Sequence, residues 1–133
     1  MIKKIDHVGI IGKSSQELVE LFSRLFGFRE VKTIKDARQS FMSRLIIAND
    51  AGIEVISPTG TEGSIAKFLS QKGGGLHHIS LEVDNIEKEV DRLLSSGIRF
   101  VNSEPNRIDN LKVMFIHPQS AHGLLIELVE KGD

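Results

Sequence analysis

The sequence predicts an α+β protein built from two tandem βαβββ modules that together form a curled mixed sheet around a central cleft. Three observations carry this reading. A helix signature recurs after 70 residues, a strand containing a histidine recurs after 71, and an apolar strand interrupted by one glutamate recurs after 73. Offsets that differ so little are explained by small loop insertions, and the repeat spans almost the whole chain.

The first module opens on a strand predicted over 4–11. Val8 and Ile10 make one face, and His7 followed by Gly9 makes the other. Ser14 and Glu17 then stand at capping-box spacing. Leu18, Leu21, Phe22, Leu25 and Phe26 follow at helical period, and Gly27 suits the left-handed residue that ends a helix. Strands are predicted over 29–35, 41–49 and 52–57. The last of these is Ile53-Glu54-Val55-Ile56.

A linker, 58–75, holds a short helix over 64–72 and a Gly73-Gly74-Gly75 stop. The second module repeats the first. His77-His78-Ile79-Ser80-Leu81 lies in a strand over 76–83, with Ile79 and Leu81 on the apolar face. Asp84-Asn85-Ile86-Glu87 is the predicted cap, Ile86, Val90, Leu93 and Leu94 form the stripe, and Gly97 is the stop. Strands over 98–102, 111–117 and 123–130 complete it, the last containing Leu125-Ile126-Glu127-Leu128-Val129. The expected organisation is one domain, 1–133, made of module 1–57, linker 58–75 and module 76–133.

Composition narrows the function classes. The 133 residues are 40% hydrophobic and 26% charged, ordinary values for a globular protein large enough to bury a core without disulfides. A net charge of -1 favours neither nucleic acid nor an anionic membrane as partner. Without cysteine, thiol catalysis and thiolate-bound metal are excluded. With no signal peptide and no apolar run long enough to span a bilayer, a cytoplasmic protein is the expectation.

The candidate site is the set of residues that both repeats share. A carboxylate inside an apolar strand is costly unless it is paired, hydrogen-bonded or bound to metal. Glu127 stands among Leu125, Ile126, Leu128 and Val129, and Glu54 among Ile53, Val55 and Ile56. His7 and His78 sit beside small residues that leave room for an ion or substrate. Two imidazoles and two carboxylates at equivalent places make a nitrogen and oxygen donor set. His7, Glu54, His78 and Glu127 are therefore predicted to hold one divalent metal ion, Co, Ni, Zn or Mn, with water in the open positions.

These motifs resemble the vicinal oxygen chelate superfamily of glyoxalases, bleomycin resistance proteins and dioxygenases. The residues concerned are Ile5-Asp6-His7-Val8-Gly9-Ile10, Ile53-Glu54-Val55-Ile56-Ser57-Pro58, Ser64-Ile65-Ala66-Lys67-Phe68-Leu69, Gly75-Leu76-His77-His78-Ile79, Phe115-Ile116-His117-Pro118 and Gly123-Leu124-Leu125-Ile126-Glu127-Leu128. The resemblance is strongest to the methylmalonyl-CoA epimerases, and extends to lactoylglutathione lyase (glyoxalase I). It implies the paired βαβββ fold, the same four metal ligands and a homodimer. It also implies proton transfer next to a carbonyl, with an acyl-CoA thioester as substrate and Glu127 as general base. Isomerisation of a methylglyoxal hemithioacetal is the alternative, and a non-catalytic small-molecule binding or resistance protein the third reading.

One departure is visible. Such epimerases resemble two-base enzymes, with a second glutamate in the second or third strand. Counting back from Glu54, that position falls near Ala37-Arg38-Gln39, where no carboxylate stands. Asp36 is nearest, and Gln39 is the candidate for orienting substrate or water. By strand alternation His77 points away from the other histidine's face and is read as structural, as is the turn at His117-Pro118. Arg38, Arg44, Lys67 and Lys112 are candidates for an acyl-CoA phosphate or carboxylate.

Overall fold

The expected β-α-β-β-β order occurs twice in the computed structural model, which describes residues 1–132. The first run comprises β1 (Ile2–Ile11), α1 (Ser15–Phe26), β2 (Arg29–Asp36), β3 (Phe41–Ala48) and β4 (Ala51–Pro58). After α2 (Ser64–Lys72), the second run comprises β5 (Gly75–Val83), α3 (Ile86–Ser95), β6 (Asn106–Ile108), β7 (Leu111–Ile116) and β8 (Ile126–Lys131), with a 3-10 turn at Pro118–Ala121. The fold is thus α+β, with eight strands and three α-helices among the described residues. The chain separates into two compact units, His7–His77 and Met1–Asp6 with His78–Asp133.

In the unit His7–His77 the strand order is β2-β3-β4-β1. The β1 and β4 strands are parallel, with Gly9 opposite Glu54 and Ile11 opposite Ile56. The β3 strand is antiparallel to β4, placing Leu45 opposite Glu54 and Ser43 opposite Ile56. One sheet face packs on α1 through Val19, Ile46 and Val55, with Ile10, Leu18, Phe22 and Ile53 beside them. At one end of the opposite face, Ile11 and Ile56 meet Ile65, Phe68 and Leu69 of α2. The cap of α1 is as predicted. Ser14 Oγ accepts from Glu17 N–H, and Gly27 closes the helix at φ 73°.

The unit containing His78–Asp133 has the order β5-β8-β7-β6 and the same directions. The β5 and β8 strands are parallel, with Ser80 opposite Glu127, and β7 is antiparallel to β8, with Phe115 opposite Glu127. Helix α3 covers one face through Ile86 and Val90, packed on Val83, Met114 and Leu128.

Two local expectations are corrected here. The strand predicted over 98–102 is a single bridge, Phe100 with Ile116, and the sixth strand lies at Asn106–Ile108 instead. Val101 N–H donates to Phe115 O and His117 N–H to Arg99 O. Beyond that the Asn102 side chain accepts from Phe115 N–H, so the ladder's next donor is already taken. The cap of α3 is Asn85 rather than Asp84: Asn85 Oδ1 accepts from Lys88 N–H, and Glu130 accepts from Ile86 N–H. Asp84 instead pairs with the Met1 amine at 2.6 Å.

Candidate metal centre

In the unit His7–His77, strand register puts His7, Gly9, Ser43, Leu45 and Glu54 on the sheet face opposite α1. His7 Nε2 stands 3.7 Å from Glu54 Oε1, both side chains largely removed from solvent at 12% and 24% exposure. The other carboxylate oxygen, Oε2, accepts a 2.7 Å hydrogen bond from Ser43 Oγ. Ser43 is itself buried at 3% exposure. The hydroxyl fixes that oxygen in place through a short bond.

In the other unit, His78, Ser80 and Glu82 of β5 and Glu127 of β8 share the face opposite α3. All four are buried. Ser80 Oγ donates to Glu127 Oε1 at 2.6 Å. The His78 ring meets the Phe115 ring edge-on, with centroids 6.3 Å apart. The polar face of β5 is thus more buried than its apolar one, where Ile79 remains 37% exposed. Burial of this kind is tolerated because the carboxylate has a short, charge-assisted partner.

A His, a Glu and a hydroxyl therefore occur on one face of each unit, in strands with the same topology. A family model for the glyoxalase/bleomycin resistance protein/dioxygenase superfamily matches residues 6–115. The chain belongs to this superfamily. Among its relatives is the mitochondrial methylmalonyl-CoA epimerase of Dictyostelium discoideum, 33% identical over 132 residues, which cover 98% of this chain and 80% of the relative. The crystal structure of methylmalonyl-CoA epimerase from Mycobacterium tuberculosis superposes with a TM-score of 0.92 at 30% identity, over 99% of this chain and 90% of that one. A variant of Streptomyces coelicolor methylmalonyl-CoA epimerase in complex with 2-nitronate-propionyl-CoA superposes with a TM-score of 0.91 at 26% identity, over 98% and 96% of the two chains. Members of the superfamily often use a divalent metal, and His7, Glu54 and His78 are donors of the kind that hold one. The imidazole and carboxylate set fits such an ion.

Gln39, His77, His117, Arg44 and Lys112 have other contacts. Gln39 is exposed in the turn between β2 and β3, not in a strand. Its N–H donates to Asp36 Oδ1 at 2.9 Å and its Nε2 to Asp36 Oδ2 at 3.4 Å. Counting residues back from Glu54 led into this turn. Strand register shows instead that Phe41, Ser43, Leu45 and Ile47 are the β3 residues on Glu54's face, and none is a carboxylate. His77 packs edge-on against Phe68 of α2, the structural role expected of it. His117 Nδ1 accepts from Gln119 N–H and caps the 3-10 turn. Arg44 is tied to Ser15 and Glu30, and Lys112 to Glu87 and Glu130.

Ser43 and Ser80 are the residues that sequence reasoning missed. Ser80 was visible only as a small residue beside a histidine, and Ser43 only as a polar interruption in Phe41–Ala48. Their partners are set by strand pairing, which brings together positions 11 and 47 residues apart.

Further charge pairs brace the second of these units. Buried Glu89 is held below the usual carboxylate range by its hydrogen bond to Arg92 and by the Met1 amine at 3.0 Å. Lys131 is raised by its bond to Asp6 at 2.6 Å.

Proposed function

We propose that this chain is a metal-dependent methylmalonyl-CoA epimerase, racemising an acyl-CoA thioester by proton transfer next to the carbonyl. The observation that carries the proposal is the full set His7, Glu54, His78 and Glu127 in a chain whose relatives and structural neighbours include methylmalonyl-CoA epimerases. A neighbour in complex with a nitronate analogue of an acyl-CoA supports the substrate class.

His7, Glu54, His78 and Glu127 would hold one divalent ion. Bound there, the ion would supply Lewis-acid stabilisation of the charge that develops on the thioester oxygen. Glu127, loosened from the ion, is the proposed general base that takes the α-proton on the oxygen not held by Ser80. Its place in a buried strand, with Ser80 on one oxygen, favours a fixed carboxylate. Epimerisation also needs a proton on the opposite face of the carbanion. Asp36 and Gln39, hydrogen-bonded to each other in the β2–β3 hairpin, are proposed to orient a water or acid for that step. The functional unit is proposed to be a homodimer.

The test is metal analysis of the purified protein, followed by assays on the same batch. Racemisation of methylmalonyl-CoA, with deuterium from solvent entering at the α-carbon, is expected. Isomerisation of methylglyoxal hemithioacetals without any reaction of methylmalonyl-CoA would transfer the chain to the glyoxalase I reading. Failure to bind stoichiometric metal after reconstitution would remove the metal from the mechanism.

A further inference from the structure

The two carboxylates are each held by a buried serine, yet the two serines are not counterparts in the repeat. In strand register, Ser80 corresponds to Gly9, since Ser80 stands opposite Glu127 as Gly9 stands opposite Glu54. Ser43 corresponds to Val113, since Ser43 stands opposite Ile56 and Val113 opposite Val129. One unit therefore takes its hydroxyl from the antiparallel neighbour of the glutamate strand, and the other from its parallel neighbour. A hydroxyl inherited by duplication would occupy the same position twice. Two different positions arriving at the same contact point to a requirement at the carboxylate itself.

The contacts are also alike in chemistry. Ser43 Oγ reaches Glu54 Oε2 at 2.7 Å, and Ser80 Oγ reaches Glu127 Oε1 at 2.6 Å. Both serines are almost wholly buried, at 3% and 0% exposure. At such sites water competes poorly for the hydroxyl, and the bond to an ionised oxygen is stronger than a neutral one. In the Glu54 pair the oxygen not taken by serine is the one that approaches His7, at 3.7 Å. The hydroxyl thus divides the carboxylate into a held oxygen and a donor oxygen.

We propose that Ser43 and Ser80 are positioning residues, each holding one oxygen of a carboxylate ligand so that Glu54 and Glu127 bind a divalent ion through the other oxygen alone. This rests on the metal reading above. Groups that orient metal ligands commonly contribute 10–100-fold to affinity (on the order of) when removed.

The test uses cobalt(II), whose absorption spectrum reports coordination number and whose affinity is read by chelator competition. Wild type, Ser43→Ala, Ser80→Ala, Ser43→Thr and Ser80→Thr are stripped and reloaded, with thermal melts of the metal-free forms as a folding check. The alanine variants are expected to bind cobalt roughly ten-fold or more weakly. Their visible bands should weaken as a released carboxylate becomes bidentate and coordination number rises. The threonine variants, which keep the hydroxyl, should restore both readouts in at least one unit. Wild-type affinity and spectrum in both alanine variants would overturn the proposal and leave the metal reading standing. Absence of cobalt binding by wild type would overturn both. Should Ser80→Ala fail to fold, Ser43→Ala decides by the same readouts.

Discussion

The two units use one topology to make two different interiors. Helix α1 buries Val19 against Ile46 and Val55. Counted from the caps Ser14 and Asn85, Val90 takes the same place in α3, whereas the place of apolar Leu18 is taken by buried Glu89, which Arg92 and the Met1 amine neutralise. The candidate ligands differ in the same direction. Glu54 keeps 24% of its side chain exposed, whereas Glu127 and His78 are buried. A repeated backbone arrangement therefore preserves the places where side chains stand while leaving their dielectric surroundings free to diverge. The more buried carboxylate depends more on its partners, because desolvation disfavours an unpaired charge.

The largest expected effect that tests this contrast concerns the glutamates. Glu127→Gln should lower α-proton exchange into methylmalonyl-CoA by roughly 10²–10⁴-fold, since it removes the proposed base. Glu54→Gln keeps a neutral oxygen donor in a more open place and should lower exchange far less, with weaker metal binding as its main consequence. Deuterium incorporation followed by mass spectrometry measures both. Equal losses would show that the two glutamates are not functionally divided.

Next come the cores. Ile46→Ala and Met114→Ala each remove a wholly buried side chain from one unit. Each should cost about 2–5 kcal/mol in urea unfolding. If the units unfold together, both variants shift one transition; a transition that splits in only one variant would show separable stability.

Smaller effects are expected at the helix starts. Ser14→Ala should cost about 1 kcal/mol. Asn85→Ala should cost less, because Glu130 also caps α3 through Ile86 N–H at 2.7 Å. The same urea titrations measure this ordering, and the reverse ordering would show that the Glu130 contact adds nothing.

The smallest effect is a dependence on pH. Glu89 is held below its ordinary value in the folded protein, first by Arg92 and then by the Met1 amine. Its stabilising contribution is therefore present above about pH 4.3, the unfolded carboxylate value, and is lost as pH falls through the lower folded value. Urea midpoints between pH 6 and pH 3 should fall less steeply in Glu89→Gln than in wild type. An unchanged slope would show that the carboxylate is no better solvated by its partners than in the unfolded chain.

Much of this arrangement was legible in the linear order of residues. The capping box at Ser14, the stop at Gly27 and the helix over 64–72 are local, depending on residues within a turn or two of each other. The recurrence of His7 and His78, and of Glu54 and Glu127, was readable because strand alternation converts spacing into a face. What was not legible depends on partners far apart in the chain. Asn102 ends a strand that its own neighbours would have continued, because it accepts from Phe115 N–H. Asn85 displaces Asp84 as the cap of α3 while Asp84 is drawn to the Met1 amine. Gln39 falls in a turn because residue counting has no knowledge of where a hairpin reverses.

The pair of carboxylates with which the repeat is marked shows where that boundary lies. By itself the sequence determined that each unit places one histidine and one glutamate in apolar strands, since hydrophobic periodicity and the offsets of 71 and 73 require nothing beyond the chain's own order. Only the tertiary structure decided which hydroxyl holds each glutamate: Ser43 from an antiparallel strand in one unit, Ser80 from a parallel strand in the other. The physical reason is that alternation sets the side on which a residue points, whereas the register between strands sets what it meets there.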